Sequence, residues 1–352
     1  MGVGLWLSSQ TAAELVASEA ATAAFKRFLV DECLEVFTFN GFPYGNFHQD
    51  VVKHEVYKPT WFEQGRADYT KHLTQLIHCF AGETEEASIS TLPIMWGSPR
   101  PTDSELVSAA ELLGEVADYL ANFEKETGRL VYLCIEPEPG CFIQRANDIV
   151  EFFENHLLPH EKTNEANIRK HIRVCHDVCH SVVMGESQRH ALSTYAGAGI
   201  KLGKVQISSA VVVNFDAIEL SDRQKAISEL SGFMEDRYLH QTTIQRSDEE
   251  PEFFEDLPAA LATIDDPKSA TGTWRIHFHI PVYLERFGLL HASQQAIVDC
   301  VSECRNFSDV KHFEVETYAW NVLPPELQQA DLATGIADEL KWFEEVANQH
   351  LS

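Results

Sequence analysis

Apolar, β-prone runs of four to seven residues alternate with amphipathic helical stretches along almost the whole chain, and this rhythm limits the fold most. Strand-like runs fall at about residues 4–7, 34–39, 87–92, 131–135, 172–175, 205–208, 273–279 and 311–316. Between them lie helical patterns such as 11–29, 103–127 and 144–156, with a closing helix over about 328–349. Repeated βα units of this kind bury parallel strands under helices. Eight of them predict an α/β protein, a single (β/α)8 TIM barrel over residues 1–352. An open doubly wound sheet is the competitor, but no glycine fingerprint opens the first helix. Residues 246–270 read as a charged loop excursion containing Pro251, Pro258 and Pro267.

At the ends of the strand-like runs stand carboxylates and imidazoles. They are Glu136-Pro137-Glu138, His176-Asp177-Val178-Cys179-His180, His277-Phe278-His279 and Glu314-Val315-Glu316. A buried charge without a partner is costly, so acidic groups at the mouth of apolar strands call for a cation, a basic group or water. Oxygen and nitrogen donors gathered from several strand ends would make a divalent-metal pocket at the C-terminal face of a barrel. Strand periodicity puts Glu314 with Glu316, and His277 with His279, on common sides. Asp177 and His180, three apart after an apolar run, can share one metal if the chain turns helical there. The bland alternative for any of these carboxylates is a pocket-wall residue bonded to Arg or Lys. His176, His277, Glu138 and Glu314 suit supporting hydrogen bonds around the ligands. Mixed histidine and carboxylate donors favour Zn, Mn or Fe over Mg.

Charge and cysteine usage narrow the partners. Asp and Glu number 54 against 27 Lys and Arg, a formal charge of -27, which repels phosphate backbones and argues against nucleic acid. No apolar run approaches the roughly 18 residues of a membrane span, and Met1–Ser8 reads as a first strand without a basic leader. Eight cysteines in mainly apolar contexts, among them Cys175, Cys179, Cys300 and Cys304, suit reduced thiols in a cytoplasmic protein. The loop Gly41-Phe42-Pro43-Tyr44-Gly45-Asn46 is either a substrate lid or a packed surface loop. Trp61, Trp96, Trp274 and Trp320 would wall a ligand's apolar portion or pack the core.

The order Glu at strand four, Asp-x-x-His after strand five and Glu at strand eight resembles the xylose-isomerase-like barrels. These include sugar-phosphate isomerases, ketose epimerases and type-IV apurinic endonucleases. The resemblance implies that Glu136, Asp177, His180 and Glu316 hold the metal, with Glu136 and Glu316 also shuttling a proton. The family's strand-six histidine is absent; Gln206 stands there, a weaker neutral ligand, and His277 or His279 is the expected substitute, His279 being nearer the strand's C-terminal end. The phrases 38–45, 133–140, 277–282 and 314–318 further resemble the EboE group. That group is linked to traffic or maturation of a prenylated metabolite precursor beside a membrane prenyltransferase. Together these imply either a metal-dependent isomerase or epimerase of a small polyol, sugar or secondary-metabolite precursor, or a non-catalytic metabolite-binding component.

Overall fold

In the computed structural model the described residues are 1–82, 84–247, 249–307, 310–317, 320–329 and 331–351. Asp248 of the charged stretch and Ala330 of the closing helix lie outside them. The chain divides into two compact units. One is Met1–His176, Ser193–Val205 and Asp309–Glu314; the other is Asp177–Leu192, Gln206–Ser308 and Val315–Ser352.

The first unit is built on parallel strands β1 (Gly2–Leu5), β2 (Glu35–Asn40), β3 (Glu86–Thr91), β4 (Leu130–Ile135), β5 (Ile172–Asp177) and β6 (Leu202–Ile207). A closing strand, His312–Val315, follows β6 in a seven-stranded sheet. Pairing is parallel from β1 through β5. Five of the six residues of β4 and all six of β5 and β6 are buried, as expected of strands covered on both faces. Helices alternate with these strands. The longest, Asp103–Thr127, starts at a capping box in which Thr102 and Glu105 satisfy each other's backbone N–H groups. It stops at Gly128, which takes the left-handed φ of 75°.

The sheet curls strongly into a barrel. His312 Nδ1 on the closing strand lies 2.8 Å from Ser88 Oγ on β3 and 3.2 Å from Tyr132 Oη on β4. In a flat sheet, four strand spacings would separate β3 from the closing strand by about 19 Å. The edges meet as well: a Cβ placed on Gly4 of β1 would fall 1.5 Å from Glu314 Oε1. Glycine is therefore required there, because the Glu314 carboxylate occupies the space. That carboxylate pairs with Lys204 of β6 at 2.5 Å, and the lysine side chain is fully buried. Burial alone would make Lys204 easier to deprotonate, but Glu314, with Cys175 and Glu136, holds its pKa above the ordinary value.

The loop 41–46 is packed. Arg66, itself buried, donates from Nη1 to the carbonyls of Gly41 and Phe42, while Trp6 and Tyr69 donate to that of Pro43. Trp61 is likewise a core residue, its Nε1 donating to Thr91 Oγ1 at 3.1 Å.

The second unit carries an antiparallel sheet of β7 (Val211–Asn214), β8 (Thr242–Gln245), β9 (Glu252–Phe254), β10 (Thr273–Ile276), β11 (Arg286–Phe287) and β12 (Leu290–Ala292). Their spatial order is β11-β12-β7-β10-β8-β9. This corrects one expectation: residues 273–279 are not a parallel barrel strand. β10 pairs antiparallel with both β7 and β8, and its burial alternates, with Trp274 and Ile276 inward and Thr273 and Arg275 half-exposed. Such alternation marks a sheet with only one face in the core. Trp274 packs edge-on against Phe215 in a cluster with Phe233, Ile244, Phe278 and Trp320, so Trp274 and Trp320 serve the core. The stretch 246–270, expected as loop, holds β9, a short helix Leu257–Leu261 capped by Asp256, and a 3-10 turn Pro267–Ser269.

Candidate metal centre

After Ile276 the chain leaves β10. His277 N–H donates to the Gln241 carbonyl at 2.8 Å, and Ile280 N–H to that of Ser209 at 3.1 Å. These bonds fix the backbone on either side of His279. Each histidine is then locked through one ring nitrogen. His277 Nδ1 lies 2.7 Å from Gln241 Oε1, and His279 Nδ1 lies 3.0 Å from the Glu316 carbonyl. Both partners are acceptors in the assigned amide orientation, so Nδ1 carries the proton in each ring and Nε2 keeps the lone pair.

Asp177 ends β5 and caps the short helix Val178–Val183, with Oδ1 accepting from His180 N–H at 2.9 Å and from Ser208 Oγ at 2.7 Å. The Asp-x-x-His spacing thus works as a cap and its third residue, and not as two positions on one helical face. His180 Nε2 is 3.9 Å from Asp177 Oδ1, and His279 Nε2 is 3.9 Å from Asp177 Oδ2. Asp177 Oδ2 is buried and makes no hydrogen bond among the described residues. One donor atom from each of Asp177, His180 and His279 lies within 4.8 Å of the others. A second such set is Cys179, His277 and His279. Burial would raise the Asp177 pKa, but His180, His279 and the hydrogen bonds from His180 N–H and Ser208 hold it below the usual carboxylate value. Burial, then the neighbouring His180, His279 and His240, push the His277 pKa far down.

Gln206, penultimate in β6, is wholly buried, and neither its amide oxygen nor its nitrogen has a hydrogen-bond partner among the described residues. Such an amide is expensive unless something else completes it. Glu316 follows the closing strand. Its N–H donates to the Ile207 carbonyl at 3.0 Å, and its half-buried carboxylate comes within 3.9 Å of His279 Nδ1. A bare carboxylate oxygen and two imidazole Nε2 atoms, all buried, are the donors a Zn, Mn or Fe ion takes, so these residues fit such an ion.

The remaining expected residues belong to the first unit. Glu136 directly follows β4, buried, with its N–H on the Thr91 carbonyl at 3.0 Å. Glu138 Oε1 accepts from Tyr57 Oη at 3.1 Å. His176 Nδ1 lies 3.4 Å from Tyr195 Oη, and Glu314 is engaged with Lys204. Gln241 and His240 escaped sequence reasoning. His240 ties the His277 carbonyl, at 3.0 Å, to Glu235, at 2.9 Å. Only the polar pair 240–241 ahead of a β-prone run signals them.

No family model matches the chain, and no curated protein does. Among solved structures, a xylose isomerase domain protein from Alicyclobacillus acidocaldarius subsp. acidocaldarius is 10% identical, over 99% of this chain and 90% of that one, with a TM-score of 0.48. A D-tagatose 3-epimerase-like protein is 8% identical over 100% and 91%, at 0.48. A xylose isomerase-like TIM barrel protein from Mycobacterium smegmatis in complex with magnesium is 13% identical over 95% and 80%, at 0.47.

Proposed function

We propose that the protein is a divalent-metal-dependent isomerase or epimerase of a small polyol, sugar or related hydroxycarbonyl metabolite. The observation that carries this reading is the convergence of Asp177, His180 and His279 around a buried carboxylate oxygen that makes no hydrogen bond. A bound ion would polarise the carbonyl and hydroxyl oxygens of such a substrate. Asp177 and the two histidines hold it, and the Gln206 amide oxygen completes the donor set. Glu316, less buried than these, takes a proton from a substrate carbon and returns it. The family resemblance assigns Glu136 the partner role and metal ligation, and Glu136→Gln tests that assignment. Around an ion so held His277 serves as a support, while His176, Glu138 and Glu314 are engaged within the first unit by Tyr195, Tyr57 and Lys204.

Mn2+ affinity of the purified protein provides the first test, with a marked loss expected in Asp177→Asn and His180→Gln. Unchanged affinity in both would refute the site. Proton NMR in D2O with a panel of ketoses and polyols then reads exchange of substrate C–H for deuterium. The second reading is a metabolite-binding or traffic component, which the neutral Gln206 and the EboE-like phrases favour. Saturable ligand binding without exchange would establish it, and a link to a membrane prenyltransferase belongs to that reading alone. Among the described residues no helix is long and apolar enough to cross a membrane. None of the eight cysteines is in a disulfide, which suits a reducing compartment, and we place the protein in the cytoplasm.

A further inference from the structure

Two donor triads in the second unit have one member in common. Asp177, His180 and His279 form one; Cys179, His277 and His279 form the other. His279 has its Nδ1 engaged by the Glu316 carbonyl, so the ring offers a single lone pair, at Nε2. One lone pair ligates one ion. Ser208 braces both triads, because its hydroxyl donates to Asp177 Oδ1 at 2.7 Å and accepts from Cys179 N–H at 2.9 Å. Gln241 Oε1, 2.7 Å from His277 Nδ1, leaves Nε2 as the ligating nitrogen of that ring too.

We propose that the pocket offers one divalent ion two mutually exclusive seats that share His279 Nε2. The first is a carboxylate seat with Asp177 and His180, and the second a thiolate seat with Cys179 and His277. The inference rests on the reading that this pocket binds metal, and it adds which ion goes where. Sulfur and imidazole donors suit Zn2+ and Co2+, whereas the carboxylate seat suits Mn2+. In each triad one donor atom of every residue, either ring nitrogen counting for a histidine, lies within 4.8 Å of the others, so side-chain rotations can bring the donors to ligand distances of about 2.0–2.3 Å. Occupation of the thiolate seat converts the Cys179 thiol to thiolate, and its proton passes to solvent.

Cobalt loading of the full chain decides the matter. Co2+-loaded wild type should show the near-ultraviolet sulfur-to-cobalt charge-transfer band. Asp177→Asn should keep the band; Cys179→Ser and Cys179→Ala should lose it. Mn2+ binding, followed by the electron paramagnetic resonance of the free ion, should survive in Cys179→Ser and fall at least tenfold in Asp177→Asn. Zn2+ should displace Mn2+ one for one. Cobalt bound without the band, or Mn2+ and Zn2+ bound together, would overturn the two-seat proposal while leaving the metal site standing. No binding of any of the three ions to wild type would sink the underlying reading as well.

Discussion

Acidification should loosen the first unit through one residue, His312. Its ring is buried on the closing strand, stacked on Tyr132 at 5.7 Å and edge-on to Phe37 at 5.3 Å. Burial is the main cause that brings its pKa down to about 4; Glu86 pulls it up, and Lys204, Arg173 and Lys311 push it further down. An unfolded histidine titrates near 6.5, so between these values the unfolded chain takes up a proton that the folded one refuses. The stability that this ring confers is whole above about pH 6.5 and declines as the pH falls toward 4. Two and a half pH units at about 1.4 kcal/mol each amount to about 3 kcal/mol. Urea unfolding of wild type and His312→Gln, from about pH 7.5 down to pH 4.5, isolates the effect, because the other titrating groups cancel in the difference. The variant should start lower, having lost the stack, but should lose about 2.5 kcal/mol less on acidification over that range. Parallel curves for the two proteins would refute the argument.

Lys204→Met strands the Glu314 carboxylate and should cost about 3–5 kcal/mol by urea midpoint, whereas Lys204→Met with Glu314→Leu should recover most of the loss. Because the Lys204 pKa is raised, the stability linked to its proton should be whole up to the ordinary lysine range and fade only above it. Gly4→Ala drives a methyl into the Glu314 carboxylate and should cost about 1–3 kcal/mol, largely relieved in a Glu314→Ala background. Gln206→Met removes an amide with no bonding partner among the described residues, so metal-free stability should hold or rise while Mn2+ affinity falls about tenfold. A metal-free protein weakened by that change would contradict it.

Legibility in the sequence followed physical exposure. The strands of the parallel sheet read plainly because burial on both faces leaves near-continuous apolar runs such as Leu130–Ile135. Thr273–Ile276 was as visible a strand, yet its partners were not: Thr242–Gln245 is mostly polar, and the valine run Val211–Asn214 follows β6 so closely that it merges with it in sequence. Its half-exposed Thr273 and Arg275 were the available clue to a one-sided sheet. Asp177 and His180 stood out because both follow an apolar run within one turn. Cys179, beside the same cluster, reads either as a ligand or as a packed core thiol, and sequence alone favours packing. The role of Gln241 was hidden, because the Gln241–His277 bond spans 36 residues of chain.

The barrel's closing strand lies far along the chain from its neighbour, and that order matters during synthesis. β6 is complete at Ile207, but the strand that covers its open edge begins only at His312. A ribosome adding about 5–20 residues per second needs on the order of 5–20 s to deliver the intervening segment. Throughout that interval the nascent chain presents an apolar, unpaired strand edge, the kind of template on which other chains aggregate. Slower elongation between those points should therefore lower soluble yield without changing the finished protein.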